Sequence, residues 1–126
     1  MNTIQHAVAA LASGQTSSRD LVEQCLARIA DPAGEGSLAF IKVHADQARA
    51  QADAMDLLRG AGRAPGPLAG IPVSVKDLFD IAGEPTPAGS KVLANAPPAK
   101  ANAPLIQRML DAGFILLGRT NMTEFA

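Results

Sequence analysis

Two short apolar segments on either side of an amphipathic stretch are the feature that most constrains how this chain can fold. Val73–Val75 alternates as a strand with one buried face, and Phe114–Leu117 is a continuous apolar run, as in a strand buried on both faces. Residues 105–110 place apolar side chains at helical spacing, with Asn102 as the predicted N-cap. A strand, a crossover helix and a second strand form a βαβ unit with parallel strands. The sequence therefore predicts an α/β fold.

The part of the chain before this unit is predicted to be mainly helical. Apolar side chains recur at helical spacing in three segments, which are residues 3–13, 17–30 and 45–59. Ser17 and Asp20 have the spacing of a capping box at the start of the second helix, and residues 40–43 form a short extended piece. We expect one domain, with residues 1–64 mainly helical and residues 65–126 forming strand, loop, helix and strand.

Charge and composition argue against several classes of function. The chain has 11 Lys and Arg against 12 Asp and Glu, so it lacks the basic excess that nucleic-acid binding needs. The single Cys25 excludes an internal disulfide and a Cys-rich zinc site, and its place on an apolar helix stripe predicts a buried thiol.

His6 and His44 have no partners at ligand spacing, so we expect hydrogen-bonded or exposed histidines and neither metal nor cofactor. No apolar run approaches the roughly 20 residues that span a bilayer, and no signal peptide is recognisable, so we expect a cytoplasmic protein without a membrane partner.

Lys76 is the candidate for chemistry. It ends the first predicted strand of the βαβ unit, and open α/β sheets bind ligands beyond the carboxyl ends of their strands. Burial at such a place disfavours the ammonium form, and a neutral lysine can accept a proton from a hydroxyl nucleophile. The alternative is a surface lysine paired with Asp77 or Asp80.

The loop after this strand is not predicted to bind a nucleotide. Five residues separate Gly83 from Gly89, and Ser90 precedes Lys91, whereas a phosphate-binding loop needs four residues and then Gly-Lys-Ser or Gly-Lys-Thr. Ser90 is also a weak candidate nucleophile, because no histidine is near in sequence and no Gly-x-Ser-x-Gly elbow occurs.

Polar residues follow the last predicted strand. Thr120, Asn121, Thr123 and Glu124 could line the same crevice as Lys76. The pattern favours capping of a following helix, with Thr120 or Asn121 at the cap and Thr123 or Glu124 three residues on, and the two roles are compatible.

Three segments together resemble a known family, the amidase signature enzymes. Pro67–Asp77, which reads PLAGIPVSVKD, is similar to the segment that carries the family's catalytic lysine. Gly89-Ser90 and Gly118–Ala126, which reads GRTNMTEFA, fit the same pattern in the same order. The resemblance is specific over residues 65–126, and the earlier helices are compatible with it.

The resemblance implies a fold and a mechanism. It implies N-terminal helices followed by the first βαβ part of a mixed-sheet fold, and a triad of a serine, a serine in a cis peptide bond and a lysine that hydrolyses small-molecule amides. Lys76 aligns with that lysine, which acts through the bridging serine on the nucleophilic serine. Both serines belong to a glycine- and serine-rich motif that these 126 residues do not contain. We therefore expect an N-terminal fragment of an amidase that is inactive alone.

Two other interpretations stay open. The same lysine would serve the catalytic amidase-type component of a glutamine-dependent aminoacyl-tRNA amidotransferase, its A subunit. Alternatively, the chain is a non-catalytic α/β binding or structural module in which Lys76 only forms ion pairs. A divided parallel sheet exposes strand edges and apolar faces, so we also expect some self-association of the fragment.

Overall fold

The structure is a computed structural model that describes residues 3–126. Within that range it contains five helices and three strands, an α/β arrangement that confirms the predicted fold class. In chain order the elements are α1 (Ile4–Ser13), α2 (Ser18–Ala30), α3 (Gly36–Ala39), β1 (Phe40–Val43), α4 (Ala45–Gly60), β2 (Pro72–Lys76), α5 (Pro104–Asp111) and β3 (Ile115–Thr120). The short α3 lies between the second predicted helix and the predicted extended piece, and its isolated turn leaves no periodic signal in the sequence.

The capping box predicted for α2 is present. The Ser17 Oγ accepts a hydrogen bond from the Asp20 backbone N–H at 3.0 Å, and an Asp20 carboxylate oxygen accepts one from the Ser17 N–H at 3.2 Å. These bonds satisfy two backbone donors that would otherwise lack partners at a helix start.

The cap predicted for α5 is wrong. The helix begins at Pro104 with Ala103 at its N-cap, and no side chain caps it. Asn102 lies one residue too early, and its Oδ1 accepts a hydrogen bond from the Ala82 N–H at 2.8 Å instead. The side chain thus fastens the loop after β2 to the start of α5.

The three strands form a mixed sheet in the order β1-β3-β2. β2 and β3 run parallel, as the βαβ unit predicts, and pair from Pro72 with Ile115 to Lys76 with Thr120. β1 runs antiparallel to β3 on its other side, and Val43 pairs with Gly118. The central β3 is buried over almost its whole length, which confirms the prediction from its apolar run.

Helices cover both faces of the sheet. α2 and α4 pack on one face, where the buried cluster is Val22, Leu26, Ala48, Ala52, Ile115 and Leu117. Val75, Ile106 and Leu116 join α5 to the other face. A third cluster, Ala7, Leu11, Leu21 and Ile71, holds α1 and α2 to the segment before β2.

Cys25 lies at the border of the first cluster and is only partly buried, so the expected full burial of its thiol is not observed. Partial burial still raises the pKa of the Cys25 thiol. Among the helices of residues 3–126, none is long and apolar enough to cross a bilayer.

Candidate functional site

Three segments singled out in the sequence meet where β2 and β3 end. The Asp77 N–H donates to the Thr120 carbonyl oxygen at 3.1 Å, and the Ala88 N–H donates to the Asp77 carbonyl oxygen at 3.3 Å. The Phe125 N–H donates to the Ala88 carbonyl oxygen at 3.0 Å. The lysine motif (residues 67–77), the Gly-Ser loop (residues 88–90) and the segment after β3 (residues 121–126) therefore form one hydrogen-bonded unit at the carboxyl edge of the sheet, the edge at which open α/β sheets bind ligands.

Lys76 ends β2 with an exposed side chain, so the burial expected from sequence is not observed. Strand alternation places Ser74 and Lys76 on the face opposite Val75, and both are exposed there. Nor does Lys76 pair with Asp77 or Asp80, since its amine has no hydrogen bond or ion pair with any residue from 3 to 126. Each of the two aspartates has other partners.

Asp77 belongs to a buried charge cluster on the other side of the strand. Asp77 is fully buried and Arg119 is 2% exposed, with Arg119 Nη1 3.6 Å from Asp77 Oδ1. The second Asp77 oxygen accepts the Gly89 N–H at 2.9 Å. Arg119 Nε donates to Glu84 at 2.9 Å, and Nη1 donates to the Phe79 carbonyl oxygen at 3.0 Å. Arg119 thus holds two carboxylates from the chain that follows β2.

Glu84 extends the cluster to β1. Its Oε1 lies 3.1 Å from Lys42 Nζ and 2.8 Å from His44 Nε2. Burial opposes ionisation of Glu84, but the bonds from Arg119 and Lys42 outweigh burial and hold the pKa of the carboxyl below its ordinary value. For His44, burial outweighs the attraction of Glu84 and lowers the pKa of the imidazole. Near neutral pH the cluster therefore contains an ionised Glu84 and a neutral His44.

The Gly-Ser loop is tightly held. Ala88 and Gly89 both have left-handed backbones, with φ of 51° and 68°. A Cβ added to Gly89 would lie 2.7 Å from the Met122 carbonyl oxygen, so this close approach requires glycine. The buried Ser90 Oγ donates to Glu124 Oε1 at 2.6 Å and accepts from the Val92 N–H at 3.2 Å. These contacts give Ser90 a structural role, in line with its weak candidacy as a nucleophile.

The loop amides bond inward rather than to a ligand. The N–H groups of Ala88 and Gly89 donate to Asp77, and that of Ser90 donates to the Pro87 carbonyl oxygen. This arrangement is unlike a phosphate-binding loop, whose amides converge on an anion.

The polar residues after β3 do not cap a helix. Residues 121–126 are non-helical, Glu124 bonds to Ser90, and the Asn121 Oδ1 accepts the Met122 N–H at 2.9 Å. Their role in this structure is to hold the Gly-Ser loop beside the ends of β2 and β3.

Sequence reasoning missed Arg119, Glu84 and the partner of His44. One signal was available: an arginine that follows an apolar run in a strand buried on both faces needs carboxylate partners. The identity of those partners was not readable, because Glu84 lies 35 residues from Arg119 in sequence. Within the described part of the chain, no group of three or more His, Cys, Asp or Glu side chains is arranged to hold a metal ion.

Comparison with known proteins identifies the family. The family model described as Amidase matches residues 20–126. The chain is 48% identical over 127 residues to AtzE, a component of the 1-carboxybiuret hydrolase of Pseudomonas sp. (strain ADP), covering 100% of this chain and 27% of that protein. It is 45% identical over 118 residues to the A subunit of the glutamyl-tRNA(Gln) amidotransferase of Thermobifida fusca (strain YX), covering 94% of this chain and 23% of the relative.

Solved structures agree with these relatives. The native peptide amidase from Stenotrophomonas maltophilia superposes with a TM-score of 0.88 at 35% identity, covering 99% of this chain and 26% of that one. A structure described as a vestigial protein complex that reveals the origins of an s-triazine catabolic enzyme gives a TM-score of 0.89 at 47% identity, covering 98% of this chain and 27% of that one. The chain spans about a quarter of the length of the relatives it matches. As its three motifs predicted, the chain belongs to the amidase signature family.

Proposed function

We propose that this chain supplies the general-base lysine of an enzyme that hydrolyses a carboxylic amide, and that Lys76 is that lysine. The observation that carries the proposal is the place of Lys76 at the carboxyl end of β2, with its amine free of protein partners among residues 3–126 and with the next residue, Asp77, bonded to the Gly-Ser loop. An amine held by an ion pair is not available to a nucleophile, whereas no residue from 3 to 126 competes for this one.

In the proposed reaction Lys76 takes a proton, through a bridging serine, from the hydroxyl of a nucleophilic serine. That serine attacks the amide carbonyl carbon, the C–N bond breaks, and the amine or ammonia leaves with a proton returned through the same relay. Water then hydrolyses the acyl-enzyme ester and regenerates the serine hydroxyl. Both serines lie outside the 126 residues in this proposal.

The exposure of Lys76 fits an incomplete site. Burial is what favours a neutral amine, and in this chain water reaches Lys76. The covering surface and the serines would both come from polypeptide outside residues 1–126. We therefore propose that the chain alone does not hydrolyse amides.

A second candidate is the corresponding component of an amidotransferase. The 45% identity to the Thermobifida fusca relative supports it, against 48% for the Pseudomonas hydrolase component. Both candidates use the same lysine. Dependence of activity on companion proteins and on glutamine would favour the amidotransferase, and hydrolysis of a small amide without glutamine would favour the hydrolase.

The test is a chimera in which residues 1–126 replace the matching segment of the Pseudomonas hydrolase component, with hydrolysis of 1-carboxybiuret as the readout. A general base contributes about 10²- to 10⁴-fold, so Lys76→Ala should lower kcat/KM by at least about 100-fold. Lys91→Ala removes another exposed lysine and should leave kcat/KM unchanged. A folded Lys76→Ala chimera with unchanged turnover would reject the role of Lys76. Amide hydrolysis by the 126-residue chain, lost in Lys76→Ala, would reject its inactivity.

A further inference from the structure

Asp77, the residue after Lys76, forms backbone and side-chain hydrogen bonds to two other segments of the site. Its N–H bonds to the Thr120 carbonyl oxygen at the end of β3, and its carbonyl oxygen accepts the Ala88 N–H. Its side-chain oxygen accepts the Gly89 N–H at 2.9 Å. One fully buried residue therefore ties the end of the lysine strand both to the neighbouring strand and to the Gly-Ser loop.

The loop needs such an anchor because its backbone is unfavourable. Ala88 has a φ of 51° although it carries a Cβ, and Gly89 follows at 68°. Residues with a Cβ enter this region only when surrounding contacts enforce it. Here the two amides of the left-handed pair are the groups that bond to Asp77.

Among the described residues only one Asp77 oxygen accepts a hydrogen bond, and the other faces an arginine. Arg119 Nη1 lies 3.6 Å from the oxygen that Gly89 does not use, and both residues are buried. Arg119 is itself held by Glu84 and by the Phe79 carbonyl oxygen. The carboxylate thus has a fixed orientation, which a surface aspartate would not have.

We propose that Asp77 is a positioning residue for Lys76: it holds the end of β2 against the Gly-Ser loop, so that the amine of Lys76 projects from a rigid edge. Asp77 does not touch the substrate, because its side chain points into the buried cluster and away from the face that carries Lys76. The inference rests on the proposed function of Lys76. A rigid backbone on both sides of a catalytic group preserves its alignment, and small misplacements reduce turnover strongly.

The first test measures the anchor without any activity. Amide hydrogen exchange at Gly89, whose N–H donates to the Asp77 side chain, should be at least 10-fold faster in Asp77→Ala than in the unchanged chain, whereas the Ala88 N–H keeps its backbone acceptor and should change less. Asp77→Asn retains an oxygen that can accept the Gly89 N–H and should stay within about 3-fold of the unchanged chain. The matched control is Asp46→Asn, which changes a fully exposed carboxylate on α4 and should leave both amides unaffected. Unchanged exchange at Gly89 in Asp77→Ala would overturn the proposal, and if that variant does not fold, unchanged exchange in a folded Asp77→Ala/Arg119→Met variant, which removes both members of the buried pair, would do so.

The second test uses the chimera and separates positioning from stability. Asp77→Ala should lower kcat at least 10-fold per folded molecule, with KM changed less than 3-fold and with a displaced acid limb of the pH–kcat profile. Asp77→Asn should restore most of kcat. A purely structural role would reduce the folded fraction and leave kcat per folded molecule and the pH profile as they were, which would overturn the proposal.

If Lys76→Ala retains turnover while exchange at Gly89 responds to Asp77→Ala, the proposed function of Lys76 fails and the anchoring role of Asp77 stands. If Lys76→Ala abolishes turnover and Asp77→Ala leaves kcat and exchange unchanged, only the positioning role fails.

Discussion

Gly118 gives the most direct test of how the sheet is assembled. It lies inside the central strand, and β1 passes so close that an added Cβ would overlap the Lys42 carbonyl oxygen. The same Cβ would lie 3.0 Å from the Val43 Cα and 3.1 Å from the Lys42 carbonyl carbon. Carbon atoms that are not bonded are at their best separation at about 3.5–4.0 Å, so Gly118→Ala forces β1 away from β3.

The expected loss follows from the backbone nature of these contacts. A flexible side chain could turn aside, but the Lys42 carbonyl oxygen and the Val43 Cα move only if β1 moves. Overpacking of this kind costs about 1–3 kcal/mol. Urea m-values of small proteins are about 1–3 kcal/mol per molar, so the midpoint of urea unfolding should fall by about 1 M.

The assay is equilibrium unfolding in urea followed by far-ultraviolet circular dichroism. Gly60→Ala is the matched control, because Gly60 ends α4 and an added Cβ meets nothing within 4 Å. Alanine is favoured over glycine in a helix by roughly 0.5–1 kcal/mol, so this variant should be unchanged or slightly more stable. A Gly118→Ala chain within 0.5 kcal/mol of the Gly60→Ala chain, taking about 0.5 kcal/mol as the scatter of neutral substitutions, would refute the close approach of β1.

Three further predictions concern charged and titrating groups. Burial lowers the pKa of His44, so the unfolded chain takes up a proton first as the pH falls below about 6.5, and stability that is present above this pH is lost. His44→Gln should flatten the dependence of Tm on pH between about 7 and about 5, the range that brackets the ordinary pKa of histidine. The control variant His6→Gln should keep that dependence. Equal slopes in the two variants would contradict the burial of His44. Hydrogen bonds from Arg49 and Arg19 lower the pKa of Glu23 to about 2. The contribution of ionised Glu23 to folding stability is therefore complete above the ordinary pKa of 4.5 and is lost as the pH falls towards 2. The Tm difference between the chain and Glu23→Gln should therefore shrink to zero near that pH, and a constant difference would show that the ion pair is not its source. Arg119→Met leaves the buried Asp77 carboxylate without its cation and should cost about 3–5 kcal/mol in urea unfolding, and a loss below about 1 kcal/mol would contradict the buried pairing.

Local chemistry explains which parts of the fold were predictable. The capping box of Ser17 and Asp20 and the apolar run of β3 act over a few residues, and both appear in the structure as expected. The parallel pairing of β2 with β3 follows from the long crossover connection through α5. The antiparallel β1 was recognisable as extended, but its partner depends on a close approach at Gly118 that no local pattern encodes.

The site was predictable only in outline. The motifs located Lys76 and the two segments that meet beside it, because parallel strands end at one edge. The burial of Lys76 was predicted wrongly, because burial depends on what packs over that face of β2 and not on the strand itself. The cluster of Arg119, Glu84 and His44 joins groups 35 to 40 residues apart, and only the folded chain brings such groups together.

β2 has a hydrogen-bonded neighbour on one side only among residues 3–126. Its outer edge therefore offers unpaired amide and carbonyl groups along the strand that ends in Lys76. A strand added at that edge would extend the sheet and, in the same docking event, bring new side chains next to the lysine. The added strand would then complete the sheet and the site at the same time. A polypeptide supplied in trans could therefore be selected for binding to the outer edge of β2 and screened for amide hydrolysis at the same place.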